Sequence, residues 1–394
     1  MGFKLCNKKS ALYMFIPIIQ SLQKSHKIGK LFLCICFAIL SVYPIYRNFY
    51  YSNGLLTYER HRAVIEKRSE YYNPWQYRIL CPYSIEALLW VYNHTVDKVV
   101  PIEQKIHISL QSSTGNVAET ADFIKLMQVP GAMKYLLIFF LFRFFEHLLI
   151  FYFAWRLWSN FVASKWLLFF GINFLAIAFG NSVAAADLSF NTYMDIIFYL
   201  VTALVIVEKK NAAILVPITI LAAFNRETGI MIPALYFISQ TDFTKFSFRK
   251  FNIGSVRFPI IKTWVFTVVL YLLFFAIFIA LRIYFGYRPQ QVWKAVAGLP
   301  MLKLNLFSAA GVKAYMELIG TFGVIPLIIL YKFRQFPHLL KKWFIFLAPL
   351  WVAAHYLSVV AYQTRLFMVP FIIIILPMFL LLIEQEIKRT VPET

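Results

Sequence analysis

The sequence predicts an all-α polytopic integral membrane protein with about 9–10 transmembrane helices and a large outer loop, carrying juxtamembrane helices, after the first span. Three observations predict it. Of 394 residues, 60% are hydrophobic and only 14% are charged, and the mean hydropathy is +0.67, outside the range of soluble globular chains. Apolar runs close to the ~20 residues that cross a hydrocarbon core recur along the whole chain. The net charge of +21 is spread as short basic clusters between those runs. That pattern sets membrane topology and is not the continuous basic face that nucleic acid needs, so no nucleic-acid partner is expected.

Taken in order, residues 1–30 carry six lysines around a short apolar patch and lack a small-residue cleavage site. They read as a cytoplasmic amphipathic segment. Apolar runs follow at about 31–50, 133–154, 161–180, 192–207, 212–238, 263–284, 316–331, 343–360 and 366–384. The hydrophilic stretch 51–132 separates the first two, and a second loop covers about 285–315. Within the first loop, residues 83–93 are amphipathic but too short to span, which suits an interfacial helix. The four cysteines, Cys6, Cys34, Cys36 and Cys81, make neither a disulfide framework nor a zinc spacing. No metal site and no cofactor are expected.

The run 212–238 contains "NRET" at 225–228. A single crossing would put the basic clusters at 245–262 and 332–342 outside, against the positive-inside rule. Two short legs, 212–224 and 229–239, return both clusters to the cytoplasm. Each leg would be only ~20 Å long, so the turn would lie inside the protein. Arg226 and Glu227 in a straight central helix would each cost roughly 2.5–3.5 kcal/mol to insert, so they should face a cavity or each other. A plain ion pair bridging neighbouring helices is the simpler alternative. Arg143, Glu146 and His147 are spaced i, i+3, i+4 and share one helix face that should point inward. They either close on themselves as a buried cluster or touch substrate. Asp187 precedes the fourth run, as a helix N-terminal acid or a catalytic or substrate-binding group, and Asp195 sits within it. In the outer loop, Arg78 lies between a Tyr/Trp-rich turn and the interfacial stretch, where it could hold a lipid phosphate.

Carboxylates and arginines gathered at an outer face suit transfer of a group from an anionic lipid carrier, with a carboxylate as general base and arginine offsetting charge on the leaving phosphate. The layout of first span, large loop and interfacial helix resembles the GT-C class of membrane glycosyltransferases, which use polyprenyl-phosphate-linked sugars. Within it, "WQYRILCP" (75–82), "AADLSF" (185–190) and "AAFNRETGIMIP" (222–233) look like the Y-R-x-L-x-P, D-L and R-E-T signatures of bacterial multi-span proteins of this type. The resemblance covers roughly residues 30–240. It implies a base among the outer-loop carboxylates and a sugar-lipid cavity lined by Arg78, Asp187, Arg226 and Glu227. The chain departs from the better-known pattern in having no adjacent acidic pair after the first span, only Glu59, Glu66 and Glu70. Glu70, which directly precedes the aromatic turn, is the expected base, with Asp187 its rival. Arg143 and His147 join Arg78, Arg226 and Glu227 as candidate substrate-binding residues.

The expected organisation is therefore the segment 1–30, a GT-C-like module over 31–240 that includes loop 51–132, and C-terminal helices over 241–394. The expected function is sugar transfer from a polyprenyl-phosphate carrier to an envelope glycan, lipid or protein at the outer face of a bacterial plasma membrane. The expected partners are that sugar-lipid, its acceptor and the surrounding membrane lipids. A polysaccharide polymerase would also use outward arginines, but its large loop would come later in the chain. A lipid or sugar flippase could bind substrate at the broken helix, yet no inverted repeat accompanies it. The only comparable interruption, at Gln363 and Arg365, is a poor mate for "NRET".

Overall fold

The structure, a computed structural model, describes residues 26–50, 53–105, 126, 128–183, 190–243, 256–290, 292 and 294–390. Asp187 and the segment 1–25 lie outside the described residues. Among the described residues every regular element is helical, apart from one isolated bridge between Asp242 and Arg257.

Fourteen helices among the described residues build the bundle and the loop between its first two spans, and single turns between them are named by residue. They are α1 (His26–Tyr50), α2 (Asn53–Ile65), α3 (Leu80–His94), α4 (Ala132–Trp158), α5 (Lys165–Ser182), α6 (Asn191–Val207) and α7 (Leu215–Asn225). Then come α8 (Met231–Gln240), α9 (Ile261–Phe285), α10 (Leu299–Phe307), α11 (Ala309–Phe322), α12 (Ile325–Tyr331), α13 (His338–Ser358) and α14 (Leu376–Thr390).

Among the described residues five helical stretches are long and apolar enough to cross a membrane, six if the bent pair α11–α12 counts as one. That is fewer than the runs read from the sequence, for local reasons. The 192–207 run becomes the 17-residue α6, the 212–238 run is split, and α13 opens with His338, Lys341 and Lys342. The 316–331 run is not straight. Gly323, at φ +59, turns α11 into α12 through 79°, a conformation that costs glycine little. The 285–315 stretch, expected as loop, holds α10 and the start of α11, whose N-cap Ser308 hydroxyl accepts from the amides of Ala310 and Gly311.

The split at "NRET" is present as expected. Arg226 is extended (φ −157°, ψ 155°) between α7 and a 3-10 turn at Glu227–Ile230. Leu215, at the start of α7, shares a buried cluster with Leu270, Tyr236 and Phe266, so the start of α7 lies beside the second half of α8. The legs therefore run antiparallel along α9 as a hairpin. Gly229 closes it, because a Cβ there would stand 2.9 Å from the Ala222 methyl.

α4 packs on α6, and α1 lies against both α4 and α5. The helical stretch Thr364–Thr390 forms the centre of the core. A π-turn at Phe371–Ile375 weakens its backbone bonding, and the Trp158 indole donates to the Ile372 carbonyl at 2.9 Å. Glu384 reaches the other end of the same stretch and accepts from the amides of Ala163 and Ser164, ahead of α5. One end of the bundle gathers cations: Arg156 and Lys210 on Glu208, Lys388 near Glu384, and Lys342 on the carbonyls of Ser239 and Thr241. The opposite end holds the outer-loop helices α2 and α3 and a cavity.

Candidate functional site

A cavity of about 640 Å³ opens at that second end. Its wall is assembled from the turn Tyr71–Arg78, the hairpin tip Arg226–Met231, the end of α9, the connection before α10, and the end of α13 with the residues just beyond it. The arrangement is amphipathic. Met231, Val296, Met301, Leu350, Trp351 and Val360 supply apolar wall, while five arginines, Arg60, Arg78, Arg226, Arg282 and Arg365, supply charge. Glu227 is the only carboxylate that lines it among the described residues.

The hairpin tip is held in place by one polar face of α6. Asn191, Asp195 and Tyr199 recur every four residues, so they stack along that face. Asn191 and Asn225 exchange hydrogen bonds, 2.8 Å to the Asn191 carbonyl and 3.1 Å between the side chains. The Thr228 hydroxyl donates to Asp195 Oδ2 at 2.6 Å, and the Tyr199 hydroxyl donates to the Thr228 carbonyl at 2.6 Å. Thr192 accepts from Arg226 Nη1 at 3.2 Å. Asn225, Asp195 and Thr192 are all buried, so these bonds satisfy groups that would be costly alone. Arg226 Nε is buried with no hydrogen-bond partner among the described residues, and the side chain lines the cavity while only 7% exposed.

Arg78 of the loop and Glu227 of the broken helix, expected only to share one cavity, pair directly across 149 positions. Arg78 donates to Glu227 Oε2 through Nε at 3.1 Å and Nη2 at 2.7 Å. Arg282 approaches the other oxygen, Oε1, at only 3.7 Å. The guanidiniums are braced by rings: Arg60 over Trp75 at 4.5 Å, and Arg282 over Phe278 at 3.3 Å and Tyr77 at 4.5 Å. Burial draws the Arg60 pKa below its ordinary value, while the charges of Tyr71, Glu70 and Glu59 oppose that shift. The aromatic turn is itself strapped to the end of α9. Tyr72 and Tyr77 donate to the carbonyls of Phe285 and Gly286, and Asn73 donates to that of Arg288.

Of the residues singled out from sequence, Arg78, Arg226 and Glu227 line this cavity. Glu70 does not: it is exposed, beside Arg60 and Tyr71, and outside the lining. Arg143 and His147 do not line it either. Arg143 stands 3.4 Å from Glu146 and stacks over Phe190 and Tyr193, and His147 Nδ1 meets the Ser41 carbonyl at 3.1 Å between aromatic rings. The three share one buried face, as their spacing implies, but that face packs α4 against α1 and α6.

Sequence reasoning passed over Arg60, Arg282 and the partners of Asp195 on the α6 face, and it set aside Arg365, which here lines the same cavity as "NRET". The signal for Arg282 was present: a cation in the last turn of a 25-residue helix whose only other charge is Lys262 at its start. Among the described residues no group of His, Cys, Asp and Glu is placed to hold a metal ion. Compared with protein families, curated proteins and solved structures, the chain has no match in any of the three.

Proposed function

We propose that this chain is a polytopic integral membrane protein that transfers a sugar from a polyprenyl-phosphate carrier to an envelope acceptor at the outer face, as the GT-C resemblance implies. One observation carries the reading: a cavity whose lining combines five arginines with apolar side chains. That combination is complementary to an amphiphile with an anionic head, because guanidinium forks match phosphoryl oxygens and the apolar wall takes prenyl chain. The concentration of cations at the other end of the bundle supports an orientation with that end cytoplasmic and the cavity outside. On that orientation the "NRET" hairpin begins and ends inside, with its tip at the cavity. Gln290→Cys, at the cavity, should label from outside in intact cells, and Asp242→Cys only after permeabilisation. Labelling of both from outside overturns the orientation.

In the reaction the acceptor hydroxyl attacks the anomeric carbon. The bond from that carbon to the carrier phosphate breaks, and its electron pair leaves with the phosphate, whose charge the arginines take up. The hydroxyl proton passes to a carboxylate. Glu227 is in position for that role, since Arg78 occupies Oε2 while Oε1 is held only loosely. A donor phosphate that recruits Arg78 and Arg282 also releases Glu227 from its ion pairs and raises its basicity, so that binding prepares the base. Glu70, at the exposed rim, and Asp187 are the rivals.

The test is transfer from a short-chain prenyl-phosphate hexose by the full chain in nanodiscs. Glu227→Gln should lose at least ~100-fold in rate while still binding the donor. Full activity in that variant returns the base to Glu70 or Asp187, and Glu70→Gln and Asp187→Asn then decide between them. A flippase is the second reading, favoured by the broken-helix hairpin at the cavity. It predicts movement of the labelled lipid between leaflets with no new glycosidic bond.

A further inference from the structure

His355 lines the cavity from the last turn of α13 while only 5% exposed, and it carries neither of the charges that dominate the wall. Its place is built by the residues around it. Asn305, fully buried on α10, donates to the carbonyls of Tyr356 and Val359 at 2.9 and 2.7 Å and accepts from the Ala361 amide at 2.9 Å. The Gly298 amide donates to the Leu357 carbonyl at 2.7 Å. Carbonyls that a helix end leaves open are thus met by fixed partners, and the turn that carries His355 is held in place. The imidazole is fixed as well: the Trp351 indole stacks on it at 5.3 Å, and the Phe367 ring lies at 5.7 Å. His355 Nδ1 meets the Trp351 carbonyl at 2.8 Å. A carbonyl only accepts, so Nδ1 carries the hydrogen. A second ring proton would add a positive charge to a buried side chain that already feels Arg226 and Arg78. The neutral ring therefore presents Nε2 as a bare lone pair. That nitrogen has no hydrogen-bond partner among the described residues, and it is not among the atoms enclosed by protein. His147 is the contrast: its Nδ1 also meets a carbonyl, that of Ser41, but its Nε2 is sealed in the core.

A phosphodiester near neutral pH has oxygens that accept and no hydrogen to give. It suits the guanidiniums and cannot satisfy Nε2, whereas an O–H can. We propose that His355 is a specificity-determining residue: its Nε2 accepts a hydrogen bond from a hydroxyl on the uncharged part of the ligand head, so that the cavity selects a lipid phosphate esterified to a polyol over one that carries none. The inference rests on the reading of the cavity as a lipid-phosphate site, and it holds alike for a transferase and for a flippase. The wall then divides its work. Guanidiniums take the phosphate, and the end of α13 takes the hydroxylated group beyond it. A ligand without that hydroxyl leaves a buried acceptor unmet, which discriminates more strongly than the loss of an apolar contact.

The experiment measures binding of tritiated geranylgeranyl phosphodiesters to the full chain in nanodiscs of uncharged phosphatidylcholine. All the probes carry the same charge, and the second ester is glucose, mannose, galactose or methyl. The wild-type chain should bind at least one hexosyl diester roughly tenfold tighter than the methyl diester. His355→Phe should bring that preference within about twofold and leave the affinity for the methyl diester unchanged, while His355→Gln, whose amide oxygen accepts, should restore about threefold or more. On the wild-type chain, fluorine in place of each hydroxyl of the preferred hexose removes the hydrogen to be donated, and one position should cost about tenfold. No hexose preference in the wild type, or one that survives in His355→Phe, overturns the assignment and leaves the lipid-phosphate reading standing. Equal loss of both diesters in His355→Phe, failure of His355→Gln to recover the preference, or the lack of any sensitive hydroxyl reduces His355 to a structural role and overturns it too. A methyl diester that binds no better than geranylgeraniol brings down the lipid-phosphate reading and this inference with it.

Discussion

Two arginine–glutamate pairs lie in the apolar body of this protein, and they have opposite surroundings. Arg143 and Glu146 are three positions apart on α4, 6% and 2% exposed, and enclosed by Phe190, Tyr193 and the neighbouring helices. Arg78 and Glu227 are 149 positions apart, and both line the cavity. The local pair is enclosed between helices that it ties together. The distant pair is held open between the outer loop and the hairpin tip, where a ligand can compete for either partner. An ionisable group in an apolar helix is thus a weak pointer to function until its partner is known.

Simultaneous replacement sharpens the contrast, because a buried ion pair can be exchanged for apolar side chains with little loss, whereas removal of one partner strands the other. Arg78→Met with Glu227→Met should abolish transfer, a fall of at least ~1000-fold for joint loss of the proposed phosphate ligand and the proposed base. Arg143→Met with Glu146→Met should keep near-normal transfer. Glu146→Gln alone, which leaves Arg143 buried without its carboxylate, should cost about 3–5 kcal/mol in detergent unfolding. Loss of transfer in the α4 double variant, at normal stability, would move Arg143 into the substrate site and erase the distinction.

A smaller effect is expected where α6 holds the hairpin tip. Asn191→Ala removes the two bonds its side chain donates to the Asn225 carbonyl and Oδ1, while the Asn225 amide keeps its bond to the Asn191 main-chain carbonyl, a cost of about 1 kcal/mol. Asn191 does not line the cavity, so its loss should act through the position of Arg226 and Glu227. Transfer should drop roughly tenfold through kcat, since misplacement of reacting groups by an ångström is worth more than that. A change confined to stability would show that the tip keeps its place without this clamp.

The amount legible in the sequence tracks the range of the interactions. The split at "NRET" could be read locally, because charge placement at 245–262 and 332–342 and the insertion cost of Arg226 and Glu227 both demanded it. The inward face of Arg143, Glu146 and His147 followed from helical spacing alone. What spacing could not tell was the destination of that face, packing or cavity, since this depends on which helix arrives opposite. The Arg78–Glu227 contact could be expected only as shared residence in one site, because no periodicity links loop to hairpin. Arg282 and Arg365 fell among ordinary boundary cations, and the bend at Gly323 broke a run that composition alone makes continuous. The stretches Ile261–Phe285 and Thr364–Thr390 show the same limit: mean hydropathies of 2.7 and 3.0 look alike, yet 22% of one window is buried and 89% of the other.

The least of the expected effects concerns a third carboxylate, which belongs to neither pair and ties the outer loop to α4. Glu86 on α3 accepts from His61 at 2.8 Å and from the Tyr135 hydroxyl at 2.9 Å, and Arg62 donates to the same hydroxyl at 3.0 Å. Burial pushes the Glu86 pKa up, but the bonds from His61 and Tyr135 and the charges of His61 and Arg62 outweigh it, so the carboxyl titrates below its ordinary value. A carboxyl lowered in the folded state stabilises that state fully above its unfolded pKa, and the contribution disappears as pH falls through the folded value. Docking of α2 and α3 onto α4 should therefore be flat with pH in the neutral range and weaken only below about pH 4.3. Because Glu86 is partly exposed, the loss should be about 1 kcal/mol or less. Hydrogen exchange of α3 across that range reads it directly, and Glu86→Gln should remove the acid-dependent step while it leaves the cavity arginines untouched. An acid-dependent step that survives in the variant would place the titrating group elsewhere in the outer loop, with Asp97, paired to Lys134 at 2.7 Å, the next carboxylate to test.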